Sequence, residues 1–348
     1  MASVLVVARS AVIFLLGLTF GVFVTYLAID YYSPYGSMRK YIFKITSHGP
    51  HGHDPSEFVG DERELQSRKL LPTVNFDADK NDSHHRSQEI AAKREFEKVR
   101  ILCWVMTSPK TIQIKGKPVK DTWGKRCNKL LFMSSKEDPE FPAVGLKVKE
   151  GRENLWDKTR AAWQYVLDHH LNDAEWFIKA DDDTYVIVEN LRHLVAPLNT
   201  EEPHYLGRYF KTFGGYCSGG AGYVFSRETL RRFGKLLKDP ERCPLKSFAE
   251  DVEVGRCLAK EGVHPGDTRD SRGRKTFHPL PPEHHLIPGF LRKDFWLWSY
   301  DKHPYRDGPE CCSDFSVTYH YISPNMMYQM EYFVYHLRPF GIEQSNHE

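Results

Sequence analysis

Three consecutive carboxylates, Asp181, Asp182 and Asp183, stand in the stretch EWFIKADDDTYV between two apolar runs. Adjacent like charges repel, and desolvating them is costly unless a cation offsets it. In an Asp-x-Asp spacing the first and third side chains reach the same side of an extended or turning backbone, and the middle one points elsewhere. Such a pair suits a hard divalent cation, Mn²⁺ or Mg²⁺, itself bridged to a diphosphate. The plainer alternative is a solvated acidic turn, or Asp183 capping the helix TYVIVENLRHLV.

Three further stretches carry residue types that do chemistry. FGGYCSGGAGYVFS (213–226) packs Gly214, Gly215, Gly219, Gly220 and Gly222 before an apolar run, a density that lets a bulky ligand approach the backbone. In SFAEDVEVGRCLAKEG (247–262), Ser247 and Glu250 have capping-box spacing and Gly262 fits the helix C′ position. The box leaves Asp251 unused, so its carboxylate could take a proton from a hydroxyl, although favouring the helix dipole would also explain it. TFHPLPPEHHLIPG (276–289) presents His278 on a proline-rich loop, where an imidazole can meet a metal. His284 and His285 compete for that role.

The elements that must position these groups alternate. RILCWVMT, KLLFMSS and EWFIKA read as buried strands, and NLWDKTRAAWQYVLDHHL puts Trp156, Trp163, Val166, Leu167 and Leu171 on one helical face. Helices between strands imply an α/β layered domain with a mainly parallel sheet. In such sheets ligands gather beyond the carboxyl ends of the strands, which is where the acidic triplet falls.

Lys and Arg number 48 against 46 Asp and Glu in 348 residues, leaving no basic excess to track nucleic-acid phosphates. SAVIFLLGLTFGVFVTYLAI (10–29) carries no charge and is long enough to span a bilayer. The expected organisation is a cytoplasmic tail (1–9), a signal anchor (10–29), a polar stem (30–86) and a lumenal catalytic body (87–348). Seven cysteines without metal-site spacing read as disulfides in an oxidising lumen, and Asn81 opens a glycosylation sequon.

The order of strand–DDD, GGAGYV, EDVEVG and FHP resembles glycosyltransferase family 31, the inverting β-1,3-glycosyltransferases. WFIKADDDTYVIVENLRHLV, CSGGAGYVFSRETLRRF and TFHPLPPEHHLIPG resemble the branch that extends O-linked GalNAc with galactose, and the likeness covers roughly residues 88–330. That resemblance implies a GT-A-type, Rossmann-like nucleotide-sugar glycosyltransferase fold in a type II Golgi membrane enzyme. It also implies transfer of galactose from UDP-galactose to the 3-hydroxyl of α-GalNAc on Ser or Thr of a glycoprotein. Mn²⁺ would be held by Asp181, Asp183 and His278, and Asp251 would be the catalytic base. Thr107, Arg126, Arg160, Asp181, Asp182 and Gly220 are the expected nucleotide-sugar contacts. Trp296, Trp298 and Tyr300, in FWLWSY, are expected at the acceptor, where aromatic faces pack against a hexose. The resemblance further suggests disulfides Cys103–Cys127 and Cys243–Cys257, Cys217 joined to Cys311 or Cys312, a homodimer, and a folding chaperone of the same family. Rival readings are a sister enzyme with another donor or acceptor, a non-catalytic chaperone relative, and a GalNAc-binding lectin. The chaperone relative lacks the acidic triplet present here.

Overall fold

In the computed structural model, which describes residues 86–247 and 249–340, helix and strand alternate from the start. Helix α1 (Arg86–Lys98) leads into β1 (Ile101–Met106), and α2 (Lys117–Asp121) into β2 (Lys129–Ser134) and β3 (Ala143–Gly145). After α3 (Leu155–His170) comes β4 (Trp176–Asp181), which turns through the carboxylates into β5 (Tyr185–Val186) and α4 (Val188–Val195). Strands β6 (Tyr205–Gly207), β7 (Tyr209–Phe210), β8 (Tyr216–Cys217) and β9 (Tyr223–Ser226) follow, then α5 (Arg227–Leu237) and α6 (Glu250–Ala259). The chain closes with β10 (Phe277–His278), α7 (Pro282–Leu286), α8 (Leu297–Tyr300), β11 (Thr318–Tyr319) and α9 (Pro324–Tyr335). The tail, the anchor, the stem up to residue 85 and Asn81 lie outside the described residues, and the last stem position, Arg86, opens α1. Among the described residues, no helix is long and apolar enough to cross a membrane.

The main sheet runs β3-β2-β1-β4-β9-β6. Strands β3, β2, β1 and β4 pair in parallel, whereas β9 is antiparallel to both β4 and β6. This is the mainly parallel α/β sheet that the alternation implies. All six residues of β1 are buried, as a central strand covered on both faces requires. Alternate side chains feed two cores. Ile101, Cys103 and Val105 join Ile178 and Ala180 on one face, while Leu102 and Trp104 join Phe177, Trp163 and Phe225 on the other. Trp163 of α3 stacks on Phe225 with ring centroids 4.4 Å apart and meets Trp104 edge-on at 5.2 Å. Leu167 and Leu171 complete the helix's apolar face as partly buried residues.

A second, small sheet sets β11 between β10 and β5. It is built of two-residue strands, with His278 beside Tyr319 and Tyr319 beside Tyr185. Helix α6 ends as its sequence predicts. Val263 N–H donates to the Leu258 carbonyl and Gly262 N–H to that of Ala259, with Gly262 at φ 69°. Its start is different: Ala249 is the N-cap, without a side-chain cap, and the Ser247–Glu250 box does not form.

Candidate functional site

Parallel pairing of β1 with β4 puts Met106 beside Asp181, so the two strands end together and the triplet turns out of the sheet there. Thr107 and Thr111, just beyond β1, donate to Asp182 Oδ2 at 2.8 and 2.9 Å. Burial pushes the Asp182 carboxyl up to about 6, against the opposing Lys115 charge. Asp182 is thus the member turned inward onto the neighbouring strand end. Asp183 does not cap the following helix, whose N-cap is Ile187. It takes Lys115 Nζ at 3.3 Å and His320 Nε2 at 3.1 Å. Although burial pushes its pKa up, His320 and Lys115 together hold it well below the usual carboxylate range.

His320 arrives through the small sheet. It directly follows β11, its N–H donates to the His278 carbonyl, and Ile322 N–H donates to the Asp183 carbonyl at 2.8 Å. The neighbouring Tyr321 is left-handed, at φ 56°, a conformation that costs a non-glycine residue of order 1–3 kcal/mol. That strained turn packs its ring on His320, with centroids 3.9 Å apart. Gly220 leaves the space the imidazole occupies: a Cβ there would lie 2.2 Å from the His320 ring. One donor atom each from Asp181, Asp183 and His320 falls within 4.8 Å of the others. Two carboxylates and one imidazole at this spacing suit a divalent cation.

A second carboxylate pair lies across the glycine loop. Asp251 Oδ2 accepts from Gly219 N–H at 2.9 Å, and Asp251 Oδ1 from Val252 N–H. Glu250 accepts from Tyr223 O–H at 2.8 Å rather than folding back on its helix. Burial raises both carboxyls, Glu250 to about 7, with Lys179 opposing and neighbouring acids adding. A Cβ on Gly219 would come within 2.7 Å of Glu250 Oε2, so only glycine lets α6 approach the loop this closely. Buried Lys179 stands between the halves, 2.6 Å from Asp181 Oδ1 and 3.9 Å from Glu250 Oε2, and donates to the Gly219 carbonyl at 3.0 Å. Five carboxylates (Asp181, Asp182, Asp183, Glu250, Asp251) therefore share Lys115, Lys179 and His320. The surplus of negative charge favours a bound cation.

The structure brings together Thr107, Asp181, Asp182, Asp183, Gly220 and Asp251, and corrects other expectations. His278 does not join the metal group. It is fully buried one strand further out on β10, stacked on Tyr319 at 4.4 Å, with Nε2 3.0 Å from Ser316 Oγ. Arg126 is not at the nucleotide-sugar position: it pairs with buried Glu331 at 2.7 Å and lies over the Tyr335 ring. Nor is Arg160, which donates to the Leu237, Cys243 and Pro244 carbonyls and so braces α3 against the loop after α5.

Cys103–Cys127 and Cys243–Cys257 are bonded as expected, the second tying the loop after α5 to the helix that carries Asp251. Cys217 is not joined to Cys311 or Cys312. Those two bond to each other beside His278, while Cys217 is a free thiol buried in the aromatic core around Trp163 and Tyr223.

Trp296, Trp298 and Tyr300 are half-buried against a third apolar cluster containing Phe210, Tyr216 and Val252. Val252 follows Asp251 on α6, so this aromatic group adjoins the start of the helix that bears the second carboxylate pair. Sequence reasoning missed His320, Lys115 and Lys179 as site residues and gave Glu250 the wrong task. The one legible signal for Lys179 was its charge inside an otherwise apolar strand.

The Fringe-like family profile matches residues 96–264. Glycoprotein-N-acetylgalactosamine 3-beta-galactosyltransferase 1 of Xenopus laevis is 46% identical over 286 residues, covering 81% of this chain and 78% of that protein. A beta-1,3-glucosyltransferase of Mus musculus is 33% identical over 150 residues, covering 42% of this chain and 30% of the relative. Chondroitin sulfate synthase 3 of Homo sapiens is 30% identical over 182 residues, covering 45% and 20%.

Proposed function

This chain belongs to the Fringe-like glycosyltransferases of family 31, and from that premise we propose that it transfers galactose from UDP-galactose to the 3-hydroxyl of α-GalNAc on Ser or Thr, with inversion. The observation that carries the reading is the pairing of a metal-type group, Asp181, Asp183 and His320, with a separate carboxylate, Asp251, across one glycine loop. The likeness, over 81% of this chain, to a galactosyltransferase named for N-acetylgalactosamine supports the donor and acceptor. A mainly parallel sheet with its acidic triplet at a strand's carboxyl end supports a GT-A-type architecture.

Asp181, Asp183 and His320 would hold Mn²⁺. When bound, the ion supplies positive charge to the leaving diphosphate. Thr107, Asp182 and Gly220 line the nucleotide-sugar side, at the joint end of β1 and β4 and beneath His320. Asp251 takes the proton from the acceptor hydroxyl as that oxygen attacks the anomeric carbon. Its raised carboxyl pKa makes it a stronger base than a solvated aspartate. Trp296 and Tyr300, whose ring centroids lie 5.3 Å apart, would offer the acceptor hexose an aromatic surface near α6, while Trp298 packs on Tyr305.

The three disulfides among the described residues support an oxidising lumen, in keeping with a type II Golgi anchor over residues 10–29. A homodimer and a related folding chaperone belong to the same reading and rest on the resemblance.

The test is transfer from UDP-galactose to a GalNAc-α-Thr peptide, with Mn²⁺ and with chelator. A Mn²⁺-dependent β-1,3-linked product is expected. Metal-dependent UDP binding without transfer would point to another donor or acceptor. Absence of both would favour the chaperone or lectin.

A further inference from the structure

Among the described residues, Lys179 touches both halves of the site. Two positions before Asp181 on β4, its side chain leaves the sheet on the same face as Asp181 and Phe177. It is 2% exposed and lies 5.9 Å from the Tyr223 ring centroid. An ammonium has three donors, and here they face Asp181 Oδ1, the Gly219 carbonyl and Glu250 Oε2.

Two consequences follow from that geometry. Because Oδ1 of Asp181 is held by Lys179, Oδ2 is the oxygen turned to His320 Nε2, at 3.7 Å. Gly219 is fixed at both ends, its carbonyl by Lys179 and its N–H by Asp251 Oδ2. The next residue, Gly220, backs directly onto His320. A shift of the lysine would move a metal-holding oxygen and the catalytic carboxylate together. Replacing a whole buried ion pair by apolar side chains is often neutral or stabilising, so stability alone does not call for this ionic cluster.

We propose that Lys179 is a positioning residue that orients Asp181 toward the metal position and, through Gly219, keeps the Asp251 carboxylate in register with it. The inference rests on the transfer reading above.

The experiment uses the full-length chain in detergent, with K179M alone and combined with D251N. Mn²⁺ affinity is measured directly by depletion of the free-ion electron paramagnetic resonance signal, and transfer kinetics in parallel. The expected result is a loss of about ten- to a hundredfold in Mn²⁺ affinity, the usual range for an outer-shell partner. It comes with a fall in kcat and a lowered melting temperature, since Asp181 and Glu250 lose their buried cation, so both constants are read on the folded protein. In the D251N background K179M should add much less than its full effect on kcat, because both act through one base. Unchanged Mn²⁺ affinity, or kcat losses that multiply independently, would overturn the proposal. If K179M does not fold, K179Q, which retains a donor to Gly219 without the charge, is measured the same way. Failure of both to fold would make the lysine a core residue and overturn the positioning role. Wild-type chain that binds Mn²⁺ without transferring galactose would contradict the functional reading instead, and the affinity comparison stands without it.

Discussion

His278 and His320 lie at neighbouring positions of one small sheet, and burial separates their tasks. His278 is enclosed between Tyr319, His285 and Ser316, where burial holds its pKa far below that of a free imidazole, so it is a neutral packing residue. His320 faces the carboxylates. His320→Ala is expected to weaken Mn²⁺ binding by at least about tenfold, since a ligand should matter no less than its outer-shell partners. His278→Ala should leave Mn²⁺ affinity unchanged and lower stability by about 2–4 kcal/mol, as emptying a large buried site does. Titration of both variants with Mn²⁺ checks this, and the reverse pattern would restore His278 as the ligand. The acidic triplet was legible in the sequence because three adjacent charges after an apolar run need a cation. His320 was not legible, because its place depends on a two-residue strand pairing with β5, and no local spacing encodes that pairing.

At the scale of elements, Arg126 holds the molecule together away from the chemistry. It joins the turn before β2 to α9 through Glu331, which also accepts from Tyr185 O–H at 3.0 Å on β5. Glu331 is fully buried, so removing its main cation leaves a charge in the core. Arg126→Ala should cost about 3–5 kcal/mol of stability, read as a lowered urea midpoint, while KM for UDP-galactose stays the same in the folded fraction. A raised KM at unchanged stability would return Arg126 to the nucleotide. The long elements were legible because burial on both faces writes itself as a continuous apolar run in β1, and on one face as the helical stripe of α3. The short strands were not, since two residues carry no period. The apparent capping box at Ser247 and Glu250 misled because Lys179 and Tyr223 compete more strongly for the same carboxylate.

Across the described residues, the end of the main sheet supplies Asp181, Asp182 and Asp183, the small sheet supplies His320, and α6 supplies Asp251. Each half is secured by its own disulfide, Cys103–Cys127 on β1 and Cys243–Cys257 on α6. Donor binding and chemistry should therefore be separable by substitution. The measurement that tests this most directly compares Asp183→Asn with Asp251→Asn, both folded, for Mn²⁺-dependent UDP-galactose binding and for transfer to a GalNAc-α-Thr peptide. The account predicts that Asp183→Asn loses binding and transfer together. Asp251→Asn should bind UDP-galactose like the wild type, with transfer reduced at least about a hundredfold, the lower range for a general base. Wild-type transfer by Asp251→Asn, or undiminished Mn²⁺-dependent binding by Asp183→Asn, would contradict it.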